Sequence, residues 1–420
     1  MLLAVIFCVS CTAKTQLSDP VLQKSSPVPM NLNYVSVKDK PKVKSDAKRI
    51  TSSYSPINFD EQKAVWISYI DLQPMLFEKT GDEFQKNISA AYSNIKGLGC
   101  NTVYVHVRSF GDAYYNSDLF PWTKAVNGQI ESKPDFDPLE IMVSEAHKLG
   151  LSFHAWINPM RCETAENMEQ ISDEYKIKQW YSDSEKYAEY IVKSETDNHY
   201  WLNPAMEEVR ELIADGAGEI VKKYNVDGIH IDDYFYPTTD PSFDSKIYSQ
   251  TGGTKELSEW RKENVSEMVK GIYDSVKSVN SSVLFGVSPQ GNMENNYEYM
   301  YADVKQWCGN EGYIDYIVPQ IYFGYQNSAK PFESTVNEWS EAVSCKNVKL
   351  IIGLGAYKIS QEDEFIQDTG IIGEQIKTSR NLKNYGGFAL YNYINLFNPE
   401  DKIAERTNAE LKCIKDVICK

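Results

Sequence analysis

The stretch Gly228-Ile229-His230-Ile231-Asp232-Asp233-Tyr234-Phe235-Tyr236-Pro237 decides how this chain is read. Strand side chains alternate between faces, so Ile229 and Ile231 share one side and Gly228, His230 and Asp232 the other. A strand that turns its isoleucines outward and a His and an Asp inward is not building an ordinary apolar core. A carboxylate at the C-terminal end of a barrel strand is the usual position of a catalytic group.

Working outward, the pattern alternates strand and helix from Ala64 to the end. Strands are expected at 64–72, 101–108, 151–158, 228–232, 284–288, 316–322, 349–354 and 387–391. Helices fall between them, at about 82–97, 257–279 and 334–343. One starts at Asp137-Pro138-Leu139-Glu140, a cap followed by an N1 proline and an acidic N3 residue, and stops at Gly150. Eight such alternations imply parallel pairing with the helices outside. A closed (β/α)8 TIM barrel fits better than an open sheet, because several strands carry polar inward residues near their C-terminal ends. No G-x-G-x-x-G follows the first strand, so a dinucleotide site has little support and no cofactor is expected. An insertion at 160–200 overhangs the mouth and shapes it.

The 420 residues, 42% hydrophobic, suffice for such a barrel, which needs roughly 250. A net charge of −16 and a pI of about 4.9 argue against nucleic acid as a partner. No protein partner is implied. The 28 tyrosines and 8 tryptophans suit a site for flat-faced polar ligands such as sugars, though they also fill cores.

Residues 1–11 read as a signal peptide ending in a lipobox-like Val9-Ser10-Cys11. They predict export and lipid attachment at Cys11, hence a membrane-anchored protein on the cell surface or in the periplasm. Residues 12–60, rich in Ser, Pro and Lys, read as a disordered tether, leaving 61–420 for the barrel. Six further cysteines lack any C-x-x-C pair, so a thiolate zinc site is not indicated. Cys413 and Cys419 are near enough in sequence to be candidates for a disulfide.

Applying the same alternation to each strand predicts what meets at the mouth. Val103, Val105 and Val107 face the helices, which leaves Tyr104, His106 and Arg108 inside. Phe153, Ala155 and Ile157 face out, which leaves His154, Trp156 and Asn158 inside. Ser288 and Gln290 follow at the rim of the fifth strand, and Gln320 and Tyr322 inside the sixth. Buried without partners, such groups would each cost about 1–3 kcal/mol; at a ligand-facing rim most of that cost disappears.

Asp232 is the first candidate for a catalytic carboxylate, as nucleophile, general base or stabiliser of a positively charged transition state. Arg108 is expected to pair with it and keep it ionised. Asp233 points to the other side if the strand stays regular, and into the site if the strand ends first. Neighbours on a strand cannot flank one glycosidic bond from opposite sides. A second carboxylate is therefore sought elsewhere, first at Asp112, which could equally cap the turn after Gly111, then at Asp71, Glu163 or Glu294. His106, His154 and His230 read as polar filling of the barrel rather than as a metal site. Trp156, Tyr234, Tyr322 and Tyr391 lie where rings can stack on sugars. Ser288 has no G-x-S-x-G context, which disfavours a serine hydrolase.

Seven segments in order carry a family resemblance: AVWISYIDL (64–72), HVRSFGDAYYNSDLFPW (106–122), DPLEIMVSEAHKLGLSFHAWINPMR (137–161), WLNPAMEEVR (201–210), DGIHIDDYFYP (227–237), GVSPQG (286–291) and DYIVPQIYF (315–323). With these the chain resembles the bacterial glycosyl-hydrolase-like ten family of envelope proteins. The resemblance implies a (β/α)8 barrel, an exported and often lipid-anchored protein, and hydrolysis of an envelope polysaccharide such as peptidoglycan glycan strands. It marks Arg108, Asp112, Asn158, Arg161, Asp232, Asp233 and Gln320 as site positions. The alternative is a non-catalytic glycan-binding protein on the same barrel; a third reading is a structural envelope lipoprotein.

Overall fold

The structure, a computed structural model, describes residues 53–419 apart from positions 196, 361 and 362. Cys11, the signal segment and most of the tether lie outside the described residues. Among the described residues, eight parallel strands close into a barrel in sequence order. They are β1 (Gln62–Ile67), β2 (Thr102–Arg108), β3 (Ser152–Ile157), β4 (Gly228–Ile231), β5 (Leu284–Val287), β6 (Tyr316–Ile317), β7 (Lys349–Gly355) and β8 (Tyr385–Tyr391). Closure comes from β1 pairing with β8, Ala64 opposite Ala389. Helices pack outside against the Val, Ile and Phe of the strands' outer faces, and this layer is the main hydrophobic core.

Inside the barrel lies a second, aromatic cluster of Ala64, Trp66, Tyr104, Trp156, Tyr316, Val318, Ile351 and Ala389. The three inward histidines are threaded through it. His230 stacks on Tyr104 at 4.3 Å, accepts from the Trp66 indole at 3.0 Å and meets the Tyr316 hydroxyl at 3.2 Å. His154 meets the same hydroxyl at 2.7 Å and Ser152 Oγ at 3.1 Å. Burial holds His106 down at about 3 and His154 at about 4, so both stay neutral. Gly228 makes this possible, since a Cβ there would stand 2.3 Å from His154 Nδ1.

Several strand bounds shift from the sequence expectation, and the ends of β1, β6 and β4 bear on the site. β1 stops at Ile67 because Ser68 caps the helix Tyr69–Leu76 in a reciprocal box with Asp71. β6 forms regular pairs only at Tyr316–Ile317, since Pro319 has no N–H to donate, and contact resumes as bridges from Gln320 to Gln290 and Gly353. β4 ends at Ile231, one residue before Asp232. The helix Pro138–Lys148 begins as read, with Asp137 accepting from the amides of Leu139 and Glu140 at 3.0 and 3.2 Å.

Residues 53–60, expected within the tether, are tied to the N-terminal face of the barrel. Asp227, buried at the foot of β4, accepts from the Tyr54 hydroxyl and the Ile57 amide, each at 2.6 Å, and from the Phe153 amide at 2.7 Å. The insertion after β3 folds as a three-stranded antiparallel sheet of Arg161–Thr164, Ile191–Lys193 and His199–Leu202, with short helices between. Cys413 and Cys419 are both unpaired; six positions apart along one helical run, they point to different sides. Among the described residues, no helix is long and apolar enough to cross a membrane.

Candidate active site

Asp232 follows β4 directly and keeps the inward direction that alternation assigns it. Its carboxylate is 3% exposed and receives a long 3.4 Å contact from the Tyr234 amide. Burial and the adjacent Asp233 push it well above the usual carboxylate range, while the Trp156 indole and the Arg161 charge pull the other way. Because β4 has already ended, Asp233 turns into the mouth as well. It accepts from Gln320 Nε2 at 3.0 Å, with Gln290 beside it, and burial raises its carboxyl too. The two carboxyls therefore sit together, one deep and one half-buried at the rim.

Aromatic rings surround the pair. Tyr322 and Tyr391 stack at 5.7 Å, and Tyr357 stands edge-on to both. Trp156 lies below, stacked on His106 at 3.4 Å. Asn158 fixes the far side of that floor, meeting His106 Nε2 at 3.1 Å and donating to the Ser109 carbonyl at 3.0 Å. The insertion supplies the upper wall. Arg161 is clasped between Phe110 and Tyr234, each ring centre 4.8 Å from its guanidinium carbon, and its charge reaches Asp232.

Arg108 is the principal correction. The pairing of β2 with β3 shifts register between His106 and Arg108, so Val107 and Arg108 both turn toward the helices. The Arg108 guanidinium is buried over the Phe120 ring at 4.2 Å, near Tyr115 and Glu219, and closes on Gly216 of the helix Glu207–Lys223. It does not pair with Asp232, and Asp232 is not held low. The cation facing the site is Arg161, which alternation could not place because it begins the inserted sheet.

The sought second carboxylate does not come to the pair either. Asp112 accepts from the amides of Ser109 and Phe110 at 3.1 and 2.9 Å, the turn-capping role. Asp71 is consumed by Ser68, by Asn392 at 3.0 Å and by the Ile394 amide at 2.8 Å, bracing the loop after β8. Glu294 is exposed on the helix Met293–Glu298. Glu163 lies next to Asp112 and accepts from Asn167 at 2.6 Å; burial and that neighbour raise it to about 7. Asp112 and Glu163 line a side cavity of about 260 Å³ behind Tyr69 and Phe110. Tyr69, Phe110, Tyr357 and Asn392 were not singled out from sequence. Only Tyr69 left a signal there, the S-x-x-D box around it.

A barrel whose C-terminal mouth holds paired carboxyls among aromatic rings has the plan of a glycoside hydrolase. The chain belongs to the glycosyl hydrolase-like 10 family, whose model matches residues 61–369. Glycosyl hydrolase YngK of Bacillus subtilis is 32% identical over 71% of this chain, and the match spans 61% of YngK's own length. Glycosyl hydrolase DigH of Escherichia coli K12 is 31% identical over 67% of each chain. The glycoside hydrolase domain of PgaB (BpsB) from Bordetella bronchiseptica shares the fold at 12% identity, with a TM-score of 0.53 over 85% of this chain and 99% of that one. The endo-1,4-beta-mannanase of Rhizomucor miehei does so at 11% identity, with a TM-score of 0.52 over 88% of this chain and 99% of that one.

Proposed function

We propose that this protein hydrolyses glycosidic bonds in a bacterial envelope polysaccharide, peptidoglycan glycan strands in particular, using Asp232 and Asp233. The observation that carries this reading is the carboxyl pair itself. It sits among rings at the barrel mouth, Asp232 deep and Asp233 at the rim, and burial holds both carboxyls above the ordinary carboxylate range. Such a group can protonate a leaving oxygen or stabilise an oxocarbenium-like transition state. The tyrosines and Trp156 offer faces for sugar rings, and Arg161, Gln290 and Gln320 offer donors to hydroxyls. The likeness to the glycosyl hydrolases YngK and DigH supports glycan hydrolysis. Action on an envelope polymer agrees with export and lipid attachment at Cys11, which metabolic labelling with a fatty acid would check; Cys11→Ser should abolish the label.

The test is incubation of the purified protein with peptidoglycan, chitin-type and neutral glycans, with mass analysis of released fragments. Asp232→Asn should lower turnover by about 10²–10⁴-fold while glycan binding persists. Binding without turnover in the wild-type protein would instead favour the non-catalytic glycan-binding reading.

A further inference from the structure

Asp232 and Asp233 are consecutive residues leaving one strand end, so both lie on the same side of a sugar seated over the barrel axis. A two-carboxylate glycosidase needs its groups on opposite sides of the bond, about 5–5.5 Å apart for retention or roughly 6.5–9.5 Å for inversion. Among the described residues, the remaining carboxylates around the mouth are committed elsewhere. Asp71 braces two loops, Asp112 caps a turn and Glu163 sits with it in the side cavity. Asp197 belongs to the inserted sheet, where it holds Arg161 at 3.6 Å and the His199 amide at 3.2 Å. Among the described residues, the pair thus has a proton donor and a base, but no protein group placed across from it to attack or to activate water.

The substrate can supply what is missing. We propose, on the hydrolase reading above, that the substrates are 2-acetamido-2-deoxy-β-hexosides and that the sugar's own acetamide is the nucleophile. Asp233 sits at the rim with Gln320 on one oxygen and Gln290 beside it, and from there it protonates the departing glycosidic oxygen. Asp232 lies deeper, beside Trp156 and close to Tyr234, Tyr322 and Tyr391, where an acetamide would hang below the ring. It takes the acetamide N–H proton, and the rings enclose the methyl group.

In the first step the C1–O bond to the leaving sugar breaks, and its oxygen receives the Asp233 proton. The acetamide carbonyl oxygen bonds to C1 from the opposite face, and the N–H proton passes to Asp232, giving a neutral oxazoline. In the second step water adds to C1 and gives one proton back to Asp233. The C1–O bond to the acetamide breaks, and Asp232 returns the nitrogen proton. One water is consumed, both carboxyls are restored and the configuration at C1 is retained.

The experiment takes whichever glycan the wild-type protein cleaves in the panel above and compares it before and after chemical de-N-acetylation. NMR follows the anomer first released. We expect cleavage to fall at least ~100-fold without the acetyl groups, and the β anomer to appear first. On an aryl β-N-acetylglucosaminide with an activated leaving group, Asp233→Asn should retain far more activity than on the natural glycan, because that leaving group needs no proton. Asp232→Asn should be impaired on both. Equal cleavage of the de-N-acetylated glycan, preference for a neutral glycan, or first release of the α anomer would overturn the proposal while leaving the protein a hydrolase. No cleavage of any glycan would overturn the hydrolase reading itself.

Discussion

A carboxyl taken out of water holds its proton to higher pH, and Glu163 shows the consequence apart from the paired aspartates. It rises from 4.5 to about 7 through burial first and the Asp112 charge second. The folded protein then binds this proton more tightly than the unfolded chain does. The stabilisation is complete below pH 4.5 and is lost as pH rises through about 7. It amounts to about 3 kcal/mol at most. Glu163→Gln should flatten the fall in stability across that window, as urea titrations at a series of pH values would show; an unchanged slope would refute the assignment. Asp233 shifts in the same direction, so activity that needs its proton should persist to higher pH than an ordinary carboxylate allows. The inward placement of Asp232 was legible from alternation alone. Its elevated proton affinity was not, because that follows first from burial beneath segments far apart in sequence and then from Asp233 turning in beside it.

At the level of the element, a single shift in strand pairing relocates Arg108. With strict alternation its charge would face the mouth; with the slip between His106 and Arg108 it packs behind the barrel. The neighbouring helix is shaped to receive it, since a Cβ on Gly216 would come 2.2 Å from Arg108 Nη1 and 2.6 Å from the Phe120 ring. Alanine for glycine inside a helix ordinarily stabilises by about 1 kcal/mol. Here Gly216→Ala should instead destabilise by ~1–3 kcal/mol through overpacking, seen as a lower urea midpoint with KM for glycan unchanged. A stabilised variant would mean the guanidinium is free to move aside. The helix Pro138–Lys148 was legible because its signals are local: a cap, a proline and a glycine. The regular part of β6 is shorter than read because apolar alternation does not register the missing N–H of Pro319.

For the whole molecule, the sequence boundary between tether and barrel falls too late. Tyr54 and Ile57 donate to Asp227 at the foot of β4, and Asn58 donates to the Ser282 carbonyl at 3.0 Å. A protein starting at residue 61 leaves Asp227 short of two donors, at about 1–3 kcal/mol for each buried group unpaired. Its urea midpoint should lie below that of a protein starting at residue 53, while both cleave glycan; equal midpoints would show that the segment contributes nothing.

Strand count, parallel order, the inward face of β4 and the polar character of the mouth were set by the chain as written, since each depends on a repeat of two or 3.6 residues along the backbone. Only the tertiary structure decided which cation meets Asp232, that Asp233 joins it, and that Asp112 and Asp71 are occupied elsewhere. Those outcomes depend on where a strand stops, where pairing slips by one residue and how an inserted sheet folds over the opening. They are set by contacts between segments far apart in sequence, which no local periodicity encodes.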